Sequence, residues 1–129
     1  MKYFSDTELG CKHCGLLRLH PGFADALLEL RESLAEPMTV TSACRCAVHN
    51  ADLKGHERSL HVCDTPAHAD KGQQGALAVD VATLDGAYRG RLFVAAWKRG
   101  WSIGWNSRLK FLHLDRRDLI GLPQTTFDY

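Results

Sequence analysis

Between Pro21 and Ala35 the apolar residues Phe23, Leu27, Leu30 and Leu34 return every three or four positions, the repeat of one face of an α-helix. Pro21 suits a first-turn position and Pro37 closes the segment, so the pattern predicts a helix from Pro21 to about Ala35. At Met38 the pattern changes. The run MTVTS, ending at Ser42, is short, β-branched and bounded by Pro37, and it reads as a strand that delivers Ser42 and Arg45 at its C-terminal end. Residues 46–75 then lose periodicity: glycine and polar residues dominate, and four of the seven histidines fall there. An irregular stretch of that length inside a compact domain points to a functional loop.

Alternation resumes at Ala76. Up to Thr83, Leu77, Val79 and Val81 take one face of a strand, while Ala78, Asp80 and Ala82 take the other, so Asp80 stands among small residues. A second helix is predicted from Gly86 to Arg99, with Tyr88, Leu92 and Ala95 or Ala96 as its apolar stripe and Gly100 as its end. WSIGW and KFLHLD follow as two strands around the turn-forming Asn106, Ser107 and Arg108. In the second of them Phe111, His113 and Asp115 share a face, with Leu112 and Leu114 on the other. Helix, strand, long loop, strand, helix and hairpin is the order of an α+β domain: an antiparallel sheet with flanking helices, in one domain over residues 1–129.

Composition narrows the function to a site. With 129 residues, 45% of them hydrophobic, the chain is sized for one core. Sixteen basic residues against fifteen acidic ones leave a formal charge of +1, so neither nucleic acid nor an anionic membrane surface is an expected partner, and a monomer is expected. No apolar run approaches the roughly 20 residues of a membrane span, so no membrane insertion is expected. MKYFSDTELG lacks the basic-then-apolar pattern of a secretory leader, which leads to the expectation of synthesis in the cytoplasm without a signal peptide.

Five cysteines cannot all pair with one another. Cys11 and Cys14 have CxxC spacing and Cys44 and Cys46 flank Arg45 as CxC, which leaves three readings open: free thiols, a disulfide, or a structural zinc on these four. Cys63 is left over in each. A different constellation suits hydrolysis, where zinc takes three nitrogen or oxygen ligands and keeps its fourth position open. His61, Asp80 and His113 supply two imidazoles and a carboxylate, two of them on predicted strands. His56 and His68 compete as ligands, although no strand fixes either.

FSDTELGCKHCG, VTSACRCAVHN, SLH with ALAVD, and SIGW with FLHLDRR together resemble the successive motifs of the zinc D-alanyl-D-alanine carboxypeptidases and their relatives. Those relatives include the phage-type L-alanyl-D-glutamate endopeptidases and the hedgehog-like fold. The resemblance runs over nearly the whole chain. It implies that His61, Asp80 and His113 bind Zn2+, that Ser59 supports the histidine ligand at the substrate side, and that Arg45 holds a substrate carboxylate. Two departures accompany it. The histidine and aspartate ligands of the family lie seven positions apart, whereas His61 and Asp80 lie nineteen apart, which reads as an insertion of residues 62–74 that shapes the substrate groove, with His68 as a substrate contact. Many relatives also carry a catalytic carboxylate three residues before the last histidine, where this chain has Lys110. Asp115 takes its place as the expected general base, with orientation of a ligand as its alternative role.

The resemblance thus implies a zinc metallopeptidase, a carboxypeptidase or endopeptidase, cutting amide bonds in peptidoglycan stem peptides. An endolysin or virion-associated enzyme acting in the periplasm or cell wall is the expected setting. The alternative is a non-hydrolytic, zinc-containing module that binds peptidoglycan or serves a structural role. A cysteine-ligated zinc ribbon, the third reading, accounts for neither Arg45 nor the His-x-Asp strand.

Overall fold

The computed structural model describes residues 1–129. Helix α1, Asp6–Leu9, is closed at its start by a reciprocal capping box between Ser5 and Glu8. Helix α2 spans Pro21–Leu34, with proline in its first turn and Ala35 in the left-handed conformation as its cap. Strand β1 is Val40–Ser42, and helix α3, Ala47–Asp52, starts from Cys46 as its N-cap. Strand β2, Ala78–Ala82, leads through Asp85 as N-cap into helix α4, Gly86–Lys98. Strands β3, Ser102–Trp105, and β4, Phe111–Asp115, form the predicted hairpin, and β5, Thr126–Asp128, ends the order. No helix is long and apolar enough to cross a membrane.

The fold is α+β around one five-stranded sheet, ordered β1-β2-β4-β3-β5. Every pairing is antiparallel except that of β3 with β5 at one edge, so the sheet is the mostly antiparallel one expected of an α+β domain. One correction concerns residues 46–75. They are not uniformly irregular: α3 and a single 3-10 turn at Ala69–Lys71 lie within them, and Val62 bridges to Arg45 in parallel. Too short for a visible apolar repeat, these pieces are held by contacts with other parts of the chain.

One face of the sheet supplies the core. Leu77 just before β2, Val79 and Val81 along it, Leu112 and Leu114 of β4, and Ile103 of β3 are wholly buried in one cluster with Phe23, Leu27 and Leu30 of α2, Leu92 of α4, and Trp101. The strand period of two therefore turns Asp80 and His113 to the opposite face. They are direct cross-strand partners in the β2–β4 register, and Gly104 stands opposite His113 on β3. Directly opposed residues carry Cβ atoms about 4.5–5.5 Å apart, and slipping either strand by one residue would send its side chain into the core.

Candidate metal centre

His61 reaches the Asp80–His113 pair from the loop, and backbone hydrogen bonds fix its position. The Arg45 amide donates to the His61 carbonyl at 2.9 Å, the Cys63 amide to the Arg45 carbonyl at 3.0 Å, and the Leu77 amide to the Leu60 carbonyl at 2.9 Å. The chain around His61 is thus laced to the turn after β1 on one side and to the start of β2 on the other. Ser59 Oγ accepts from the His61 amide at 3.2 Å, so the serine supports the backbone of the histidine while lining the adjoining groove.

The two imidazoles are oriented by their outer nitrogens. His61 Nδ1 donates to the Ala43 carbonyl at 2.7 Å, because a carbonyl can only accept; its Nε2 therefore presents a lone pair, 3.1 Å from Asp80 Oδ1. His113 Nε2 donates to Asp115 Oδ2 at 2.8 Å, which in the neutral ring leaves Nδ1 as the lone-pair nitrogen, 3.3 Å from the same Asp80 oxygen. That Nδ1 is buried without a hydrogen-bond partner. Two lone-pair nitrogens and a carboxylate oxygen facing one another repel unless a cation or a proton lies between them. Ligands about 2.0–2.1 Å from a tetrahedral zinc sit roughly 3.3 Å from each other, and Asp80 Oδ1 lies 3.1 and 3.3 Å from the two nitrogens. His61, Asp80 and His113 thus fit a divalent metal in donor type and tautomer, and they are only 0%, 3% and 5% exposed.

Asp80 and Asp115 are both held as carboxylates. Burial works to raise the pKa of Asp80, but His61 and His113 outweigh it and hold that group well below the usual carboxylate range. The other oxygen of Asp80 accepts from Arg45 Nη2 at 3.1 Å, while Arg45 Nε donates to Ser42 Oγ and Nη1 to Asn50 Oδ1. Asp115 is wholly buried, and burial again works to raise its pKa, yet Arg117 and His113 bring it below the ordinary value. Arg117 grips it through Nε at 2.9 Å, Nη2 at 2.7 Å and its backbone amide at 3.2 Å. A carboxylate with both oxygens occupied and a lowered pKa is suited to orienting His113 and poorly suited to taking a proton near neutral pH.

Beside the donors lies a cavity of about 730 Å³ lined in part by Arg45, Arg58, Ser59, His68, Arg117 and Tyr129. His68 is buried in its wall, with Nδ1 3.4 Å from Arg58 Nη2, and it does not join the metal donors. Nor does His56, whose Nδ1 accepts from the Arg58 amide. Lys110 is exposed just before β4. Within residues 62–74, Val62, Cys63, His68 and Gln73 are buried, and Gln73 Nε2 donates to the Leu60, Val62 and Gly75 carbonyls. The insertion is therefore surface loop only between these anchors.

Three contributors escaped the sequence reading. Arg117, the Ala43 carbonyl and the aromatic residues of the β5 region carry no periodic or spacing signal of their own. Tyr129 stacks on His113 with ring centroids 5.1 Å apart, and Phe127 meets it edge-on at 5.5 Å. Burial, with the Asp80 charge beside it, raises the Tyr129 pKa, so its phenol stays a hydrogen-bond donor at neutral pH. The cysteines also divide differently from any grouping of Cys11, Cys14, Cys44 and Cys46. Cys44 packs with Cys63 in a small buried cluster, Cys11, Cys14 and Cys46 converge elsewhere, and all five are free thiols.

The family model described as Peptidase M15 matches residues 2–115, a span that contains every donor of this centre and stops at Asp115. No curated protein and no solved structure matches the chain.

Proposed function

We propose that this chain, which belongs to the peptidase M15 family, is a zinc-dependent peptidase that cuts amide bonds in the stem peptides of bacterial peptidoglycan. The observation that carries the reading is the convergence of His61 Nε2, Asp80 Oδ1 and the partnerless His113 Nδ1. Zinc held there would supply Lewis-acid polarisation of an amide carbonyl and activation of water for attack on it.

The residues of the chain do the rest. Asp115 and Ala43 keep each imidazole in the tautomer that turns a lone pair inward. Arg45 donates to the outer oxygen of Asp80 and carries its guanidinium to the groove, where the planar fork matches a carboxylate. Arg58, Lys54 and Arg117 add positive charge along the same walls. Stem peptides bear carboxylates on D-glutamate, diaminopimelate and terminal D-alanine, and such a groove favours them over neutral peptides. The reading takes the enzyme to the periplasm or cell wall, in the manner of an endolysin or virion-associated hydrolase.

Product analysis by mass spectrometry, with purified zinc-loaded protein and defined muropeptides, tests it. Cleavage lost in His113→Ala, with the fold retained by circular dichroism, is the expected result, and the product masses give the bond cut. A zinc-loaded wild type that binds muropeptides and cleaves none would overturn the hydrolase in favour of a binding module.

A further inference from the structure

The convergence of Cys11, Cys14 and Cys46 lies apart from the centre just described, and nothing in the proposed hydrolysis uses it. Their sulfur atoms all lie within 4.8 Å of one another, and Cys11 and Cys46 are buried while Cys14 is exposed. A fourth donor is at hand, because His13 Nδ1 is 3.4 Å from Cys46 Sγ. A nitrogen and a sulfur sharing a tetrahedral zinc, at about 2.0–2.1 and 2.3 Å, sit roughly 3.5 Å apart.

The backbone around the sulfurs has the form of a metal knuckle. CKHCG turns tightly, with the Gly15 amide donating to the Cys11 carbonyl at 2.8 Å and Gly15 itself at φ 77°, in the left-handed region. Amide hydrogens point at sulfur rather than at oxygen. The Cys46 amide donates to Cys11 Sγ at 3.3 Å and the His49 amide to Cys46 Sγ at 3.4 Å. Such donors stabilise thiolates, the form that binds metal. Cys44 is no part of this group: its sulfur exchanges hydrogen bonds with the Arg18 backbone and neighbours Cys63.

We infer that Cys11, Cys14, Cys46 and His13 form a second, structural zinc site. Three thiolates and an imidazole make a closed ligand set, with no open position for substrate. Its place in the fold gives it a task. Cys46 follows Arg45 directly and caps α3, while Cys11 and Cys14 belong to the segment after α1. A metal there clamps that segment to the turn that carries Arg45, adding to the bonds from the Cys44 amide to the Leu9 carbonyl at 3.0 Å and from the Cys46 amide to Cys11 Sγ at 3.3 Å.

Cobalt distinguishes the two sites, because thiolate ligands give a charge-transfer band in the near ultraviolet and imidazole or carboxylate ligands do not. The reduced wild type, freed of metal and titrated with Co(II), should take up two equivalents and develop that band. Elemental analysis of the zinc-loaded protein should give two metals per chain, falling to one in Cys14→Ser and to one in His61→Ala/His113→Ala. In the latter variant the cobalt band should persist. His13→Gln should keep the band while weakening cobalt binding at the cysteine site at least tenfold. Absence of a thiolate band in the wild type would overturn the inference, whatever the variants do. So would a Cys11–Cys14 or Cys11–Cys46 disulfide, found by peptide mapping of protein isolated with zinc present. Because the readout is metal at sulfur, the outcome is independent of whether the protein hydrolyses peptidoglycan.

Discussion

Replacing Asp115 with asparagine changes almost no volume and tests which job that carboxylate does. In the wild type one buried group accepts from His113 Nε2 at 2.8 Å and from three donors of Arg117 at 2.7–3.2 Å. Asparagine has one acceptor oxygen. If that oxygen stays with the Arg117 cation, the amide NH2 faces His113 Nε2 and the imidazole must accept there, so its proton moves to Nδ1. The nitrogen that faces Asp80 and His61 then carries a hydrogen and cannot bind metal. Zinc can still bind, but only after the favoured tautomer is reversed and one charge-assisted hydrogen bond, worth about 1.5–3 kcal/mol, is given up. We expect zinc affinity to fall by roughly 10- to 100-fold, equivalent to about 1.4–2.7 kcal/mol. Competition against a chromophoric chelator measures it, and imidazole 15N shifts report the tautomer directly. Activity should return when zinc is raised to saturation. An affinity within twofold of wild type, together with a rate at saturating zinc lower by about 10²–10⁴, would refute the argument and make Asp115 the proton acceptor.

Arg45→Lys keeps a charge beside Asp80 but loses the fork, so hydrolysis should drop at least tenfold while the thermal midpoint stays within a few degrees; unchanged kinetics would leave Arg45 only its tie to Asp80. Gly104→Ala should cost about 1–3 kcal/mol in denaturant melts, because a Cβ there would lie 2.7 Å from the Phe127 ring and 2.8 Å from that of Tyr129; a change under about 0.5 kcal/mol would mean the rings yield freely. The Arg91 fork on Glu36 lowers the Glu36 pKa. The stability it adds is present above the ordinary glutamate value near 4.3 and lost as pH falls through the folded-state value. Glu36→Gln should thus cost little at neutral pH, since the pair is exposed, and remove an equally small part of the acid limb of a pH series; a large loss at neutral pH would contradict this.

Much of the scaffold was legible because it obeys simple periods. The stripes of α2 and α4 and the alternation of β2 and β4 set which side chains face the core, and with them the placement of Asp80 and His113 on the other face. What those periods cannot supply is partner choice. That Asp80 sits across from His113 depends on strand register, and that His61 arrives beside them depends on backbone bonds from Arg45 and Leu77. The likeness in SLH and ALAVD named the third donor where local pattern could not. Strand β5 is three residues long, too short to show alternation. The cysteine partition was hidden for a related reason: residues two apart share a face only while the chain stays extended, and the chain turns into α3 at Cys46.

Strand β5 is also the edge of the sheet, held by β3 alone. Its aromatic ring, Phe127, and that of the following Tyr129 lie against the one metal-donor imidazole that borders the groove. Short edge strands open at a small fraction of the free energy needed to unfold a domain, whereas β2 and β4, paired on both sides, exchange their amides only in rarer and larger openings. Fraying and access are thereby one event. The protection factors of amides 126–129 measure how often His113 is uncovered, and they set an upper limit on how fast anything bulkier than water reaches it from that side.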